Sequence, residues 1–180
     1  ETAITAGDNL KLINGAGIHG DWGNNGSAGT GSNDDGDIIT IGKNLNMSGG
    51  SMISGGGGDD IISIGKNASI QDTSTIDGGA GYDTLKIADD SVNLTKVTNI
   101  EKLDLTQGNH NITLSAKDVL DMTDSNNRLR IDGDSGDNLG LASKGWVEDT
   151  SANITGYKVY TNTEGVHTVT LEVQDQVHVF

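Results

Sequence analysis

The sequence contains no cysteine and no proline. Without cysteine there can be no disulfide, no thiolate metal site and no cysteine nucleophile. Without proline, slow prolyl isomerisation drops out of folding. Aromatic residues make up only 3% and hydrophobic residues 33%, which argues against a large conventional core. No run approaches the ~18 apolar residues of a membrane-spanning helix, so membrane insertion is not expected. Positive charge is also scarce: 11 Lys and Arg stand against 26 Asp and Glu, a net charge of −15. That balance disfavours nucleic acid and anionic membrane surfaces as partners and favours cations, metal ions first. The chain starts at Glu1 rather than Met, as a fragment would, so the missing signal peptide carries no information.

Glycine and aspartate are plentiful. Of the 27 glycines, 20 fall between Gly7 and Gly81, and 21 of the 26 acidic residues are Asp. A short carboxylate sits close to its own backbone, which suits tight turns and oxygen cages better than Glu does. Placement then decides between a solvated acidic surface and something more specific. Residues 42–64, GKNLNMSGGSMISGGGGDDIISI, align without a gap on residues 65–87, GKNASIQDTSTIDGGAGYDTLKI, with ten of 23 positions identical. One period earlier, SNDDGDIITI (32–41) falls on GGGGDDIISI (55–64), so Asp37, Asp60 and Asp83 recur every 23 residues.

Each of these aspartates opens an alternating apolar pattern: Ile39 and Ile41, Ile62 and Ile64, Leu85 and Ile87. Alternation over so few residues predicts a short strand with one face inward. Strands recurring at a fixed period with polar glycine turns between them predict a parallel β-solenoid in which each coil pairs with the next. Asp8, with Leu10 and Leu12, reads as an earlier copy 29 residues before Asp37, its coil carrying a longer loop that contains Trp22.

The turns Gly55-Gly56-Gly57-Gly58-Asp59-Asp60-Ile61-Ile62 and Gly78-Gly79-Ala80-Gly81-Tyr82-Asp83-Thr84-Leu85 both match G-G-x-G-x-D-x-U, the calcium-binding repeat of β-helices. Calcium takes about six to eight oxygens at ~2.3–2.6 Å. A chain supplies several neighbouring carbonyls only by curling tightly, which glycine permits. Stacked coils ~4.8 Å apart would set Asp60 between Asp37 and Asp83. At an effective dielectric near 20, two carboxylates at that spacing repel by about 3–4 kcal/mol, so a cation between them is expected.

On these residues the sequence resembles the RTX (repeats-in-toxin) proteins, exported by type I secretion from Gram-negative bacteria. The resemblance implies a parallel β-roll with calcium-binding Gly-Asp turns. It implies one ion held by Asn33, Asp35 and Asp37 with Gly55, Gly57 and Asp60, and a second by Gly56, Gly58 and Asp60 with Gly78, Ala80 and Asp83. Two departures stand out. The family coil has 18 residues and a calcium turn on each side; here the period is 23, and the opposite loops (48–54 and 71–77) lack the motif. The turn Ser32-Asn33-Asp34-Asp35-Gly36-Asp37 replaces the motif glycines, although Asn and Asp tolerate left-handed geometry.

Beyond Ser91 the pattern changes to strand-like stretches at Val92–Leu94, Ile100–Leu105, Ile112–Leu114, Leu129–Ile131, Tyr157–Tyr160 and Val169–Val173. Ser115 reads as the N-cap of a helix of about two turns. DSVNLTKVTNIEKLDLT, ITLSAKDVLDMTD and LRIDGDSGDNLGL are similar to the C-terminal region of large RTX adhesins. The expected organisation is all-β: a roll over 1–88, and a β-rich cap with one short helix and a type I secretion signal over 89–180. Asp132 to Leu139 partly copies the motif and is either an ion site or a plain Asp-Gly turn. The ending Asp175 to Phe180 is either the secretion signal or an edge strand.

No enzyme is expected. His19, His110, His167 and His178 have no metal-ligand spacing and read as surface imidazoles. There is no G-x-S-x-G elbow, and no Lys-Ser/Thr pair follows the glycines at 55–58 to make a phosphate loop. Trp22 and Trp146 read as packing anchors. The resemblance implies a secreted or cell-surface adhesin segment whose partners are calcium ions, the type I secretion apparatus and upstream adhesin modules. The alternatives are the RTX tail of a secreted hydrolase and, more remotely, a β-helix polysaccharide lyase, for which no Arg lies among the repeat turns.

Overall fold

A computed structural model describes residues 2–20 and 35–180. In chain order the strands are β1 (Ala3–Ala6), β2 (Lys11–Leu12), β3 (Gly17–His19), β4 (Ile38–Ile41), β5 (Asn46–Met47), β6 (Met52–Gly57), β7 (Ile61–Ile64), β8 (Ser69–Ile70), β9 (Thr75–Ala80), β10 (Thr84–Ile87), β11 (Val97–Thr98), β12 (Lys102–Asp104) and β13 (Asn111–Thr113). One helix, α1 (Ala116–Met122), precedes β14 (Arg128–Asp132), β15 (Asn138–Gly140), β16 (Val147–Glu148), β17 (Tyr157–Glu164), β18 (His167–Gln174) and β19 (His178–Val179). The described residues are all-β apart from α1 and two single-turn 3₁₀ segments.

The 23-residue period is a physical register. Ile39 pairs with Ile62, and Ile62 with Leu85, in parallel ladders that join β4, β7 and β10. The same offset joins Met47 to Ile70 and Ile53 to Ile76. Each coil therefore gives one strand to each of three parallel sheets. Sheet one runs β1-β4-β7-β10-β12-β14-β18-β17-β16, sheet two β2-β5-β8, and sheet three β11-β9-β6-β3; β13-β15-β19 form a fourth.

Sheet one continues through residue 88 without a break, since Leu85 pairs with Leu103, Leu103 with Ile131, and Ile131 with Val173. Its pairing turns antiparallel only at the long hairpin β17–β18 and the short strand β16. Inside runs one continuous file of aliphatics, among them Ile39, Ile62, Leu85, Leu103 and Ile131, each fully buried. A third of the residues being hydrophobic suffices because strand alternation turns the large ones inward.

The corner after sheet one is made by Gly-x-Asn. Asn9, Asn44 and Asn67 all take left-handed φ (66°, 62° and 63°). Their amides form a ladder, Asn44 Nδ2 to Asn9 Oδ1 at 2.9 Å and Asn67 Nδ2 to Asn44 Oδ1 at 3.2 Å. This ladder corrects the placement of the first coil. Asp8 is not the counterpart of Asp37; its Oδ1 accepts the Lys43 N–H, and Leu12 pairs with Met47. The first coil is offset by 35 residues throughout: Ala3 pairs with Ile38, Lys11 with Asn46, Gly17 with Met52.

Two further corrections concern the second half. The stretch Val92–Leu94 is no strand: Asn93 Oδ1 accepts the Thr95 N–H (3.1 Å) and hydroxyl (2.8 Å), which caps a 3₁₀ turn at Leu94–Lys96. His110 is not a surface imidazole but is buried, its Nδ1 2.7 Å from Asp90 Oδ1 and its backbone N–H donating to Asp137. Ser115 does cap α1, in a reciprocal box with Asp118. Trp146 is a packing anchor, its Nε1 donating to the Leu114 carbonyl at 2.8 Å. Trp22 lies outside the described residues.

Candidate metal-binding turns and the carboxylate column

Where sheet three turns into sheet one, the repeat aspartates form a column. Asp37, Asp60 and Asp83 are each about 1% exposed. The Asp37 N–H donates to Asp60 Oδ1 at 2.6 Å, and the Asp60 N–H to Asp83 Oδ1 at 2.8 Å. The Thr2 N–H donates to Asp37 Oδ1 at one end. At the other, the Asp83 N–H donates to Glu101 Oε2 at 2.9 Å, while Glu101 Oε1 accepts from the Asp124 N–H at 3.3 Å.

Glu101 is thus the fourth member, and sequence reasoning missed it. The signal was present: Glu101 precedes Leu103 and Leu105 as Asp83 precedes Leu85 and Ile87, but at a spacing of 18 with Glu in place of Asp. The longer side chain reaches the neighbouring N–H from a strand that lacks the glycine turn.

The motif glycines are required by close approach between coils. Gly79 has φ +110°, and a Cβ there would lie 2.0 Å from the Gly56 carbonyl oxygen. Gly81 has φ +147°, with the Gly58 oxygen 2.0 Å from its would-be Cβ. The carbonyls of Gly56 and Gly58 therefore face the next coil. In return the Gly78 oxygen lies against Gly55, and the Ala80 carbonyl accepts the Gly58 N–H at 2.8 Å. Gly56, Gly58, Gly78 and Ala80 all face one gap between coils, and the Asp60 N–H to Asp83 Oδ1 bond joins the same two coils. Asp35 is exposed and Gly57 is buried in β6. Asn33 lies outside the described residues.

The electrostatics are unfavourable for an unaccompanied column. Burial pushes the Asp83 carboxyl up to about 7, against the hydrogen bond from Asp60, and the negative charges of Asp60, Glu101 and Asp59 add to the rise. Burial also raises Glu101. Asp83 Oδ2 is buried without a hydrogen-bond partner. Asp83 Oδ2 and the Asn99 carbonyl oxygen both crowd the would-be Cβ of Gly78, at 2.7 and 1.9 Å, and oxygens of this hard type are the donors Ca²⁺ takes. Among the described residues no three Asp, Glu or His side chains converge on one point, so a cage here would be built mainly from carbonyls.

The partial motif at Asp132–Leu139 is differently disposed. Asp137 is fully buried, but its Oδ1 accepts the His110 N–H (3.0 Å) and its Oδ2 the Asp134 N–H (2.8 Å). Oδ2 thus serves its own turn, while Oδ1 reaches the neighbouring coil as the Oδ1 atoms of Asp60 and Asp83 do. The C-terminal residues His178–Val179 form an edge strand on β15.

No family model matches this chain, and no curated protein or solved structure matches it. No helix among the described residues is long and apolar enough to cross a membrane.

Proposed function

We propose that this chain is a calcium-binding RTX-type β-roll segment, from the C-terminal region of a large adhesin that a Gram-negative bacterium exports by type I secretion. The observation that carries this reading is the column Asp37–Asp60–Asp83–Glu101, four stacked buried carboxylates beside coil-facing glycine carbonyls. A divalent cation in the gap would neutralise the column and engage Asp83 Oδ2. Gly56, Gly58, Asp60, Gly78, Ala80 and Asp83 would hold one ion; Asn33, Asp35, Asp37, Gly55, Gly57 and Asp60 would hold another. Such modules bind at ~10⁻⁴–10⁻³ M, which suits a chain unfolded in low-calcium cytosol and folded outside. The segment's role would be export and folding; it would not be an enzyme.

A second reading is favoured by one observation. Each carboxylate already accepts the N–H of the coil before it, so the column could close as a partly protonated hydrogen-bond ladder with no ion. Far-ultraviolet circular dichroism separates the two. On the calcium reading EDTA abolishes the β spectrum at pH 7.5 and millimolar calcium restores it. A spectrum unchanged by chelator favours the ladder alone.

A further inference from the structure

The chain has only two arginines, Arg128 and Arg130, and both line one groove on the outer face of sheet one. Tyr82, Glu101, Asn126 and Glu172 complete its lining, around a volume of about 520 Å³. This lies within the ~300–1,000 Å³ range of small-ligand sites.

Both guanidiniums approach Glu172 side-on. Arg128 Nε and Arg130 Nε each lie 2.6 Å from a different oxygen of that carboxylate, and one terminal nitrogen of each joins in. Two of the five N–H donors on each arginine are thereby used, and three remain. Arg130 also stacks over the Tyr157 ring, 4.6 Å from its centroid, which fixes the guanidinium plane. Glu172 is 6% exposed at its side chain, whereas Arg128 is 51% and Arg130 33% exposed, so the carboxylate forms the floor and the guanidiniums the wall. Tyr82, 45% exposed, stands at the same groove.

We propose that this groove binds a carboxylate-bearing saccharide. A wall rich in N–H donors calls for an acceptor-rich ligand, and a guanidinium edge matches a carboxylate in bidentate geometry. Glu101 and Glu172 place two carboxylates in the lining, which disfavours polyanions such as polyphosphate and favours one negative charge surrounded by hydroxyls. The exposed Tyr82 ring offers a flat apolar face for sugar C–H groups, which a bare inorganic anion would not use. Asn126 supplies an amide that both donates and accepts. Tyr82 and Glu101 join the groove to the neighbouring turn and column, but Arg128, Arg130 and Glu172 take no part in the coil-gap sites, so the proposal does not rest on the calcium reading.

The test is calorimetric titration of the whole chain, under conditions where circular dichroism shows it folded, with methyl glucuronide, methyl glucoside and inorganic phosphate. Methyl glucuronide binds saturably with a Kd on the order of 1 mM, as expected for a single sugar ring. Methyl glucoside binds at least about tenfold more weakly for want of the charge-assisted pair. Tyr82→Ala, whose side chain is half exposed, and Arg130→Gln each weaken glucuronide binding by about tenfold with the spectrum unchanged. Four results overturn the proposal: no saturable glucuronide binding, equal binding of the neutral glucoside, no effect of Tyr82→Ala, or displacement by phosphate at equal concentration, which would mark an anion site only.

Discussion

The backbone N–H of Asp60 donates to Oδ1 of Asp83, 2.8 Å away and one coil further on, while Asp60's own Oδ1 receives the N–H of Asp37. Asp60 is therefore tied to one neighbouring coil by its backbone N–H and to the other by the carboxylate that would also face an ion.

On the proposed sites, Asp60→Asn lowers the ion count by about two and raises the calcium midpoint more than Asp37→Asn or Asp83→Asn. Asn keeps one neutral oxygen for the hydrogen bond, so the change removes charge rather than shape. Asp72→Asn is the control. Asp72 is exposed and takes φ +54°, a conformation Asn adopts as readily; its carboxylate makes a long 3.4 Å contact with the Gly49 N–H, and the Lys96 ammonium donates to its backbone carbonyl, which the substitution keeps. Calorimetric calcium titration of the four variants checks this; equal effects at residues 60 and 72 would refute the register of the sites.

Without metal, stability falls as pH rises. The Asp83 carboxyl is raised to about 7 in the fold, against about 4 in the unfolded chain. Between those values the folded state holds the extra proton, so each unit of pH costs stability until about pH 7, a total on the order of 4 kcal/mol. Urea midpoints in EDTA at pH 5 and pH 8 measure it. A higher midpoint at pH 8 would contradict the burial of an uncompensated carboxylate.

Glu101→Gln removes one anion from beside Asp83 while keeping an acceptor for its N–H. The Asp83 titration should move down, and the loss of stability with pH should shallow. One of the two N–H donors now served by Glu101 loses its partner, a cost of about 1 kcal/mol that is independent of pH. Carbonyl-carbon NMR of the Asp83 carboxyl reads the titration directly, and an unmoved curve would remove Glu101 from the column.

Gly79→Ala should destabilise by more than about 2 kcal/mol, because it combines a left-handed φ with a Cβ 2.0 Å from the Gly56 oxygen. Gly7→Ala is the comparison, with nothing within 4 Å of its Cβ, and should stay within about 0.5 kcal/mol of the parent. Chemical denaturation in calcium reads both; similar losses would argue against the close packing of the coils at the turn.

Those parts of the fold that rest on exact repetition were legible in the sequence. Ile39, Ile62 and Leu85 pair as their period requires, and Ser115 caps α1 because its chemistry is local. The first coil was misread because Asp8 was compared with Asp37, when GDNLKL (7–12) belongs with GKNLNM (42–47) at an offset of 35. An insertion hides a repeat from any search at constant spacing. Glu101 was missed because a longer side chain does the work of a shorter one from a different turn. His110 was missed because its burial depends on Asp90 and Asp137, neither of which is near it in sequence. The groove is assembled from β14, β18 and the Tyr82 turn, a juxtaposition that only strand order creates.

The first two coils pair at an offset of 35 and the next two at 23, and this difference puts no described pair out of register. Gly17 with Met52 and Ala3 with Ile38 keep one offset. Coil length is therefore free to differ without being felt by the pairing above or below: the stack meters strand position rather than residue number.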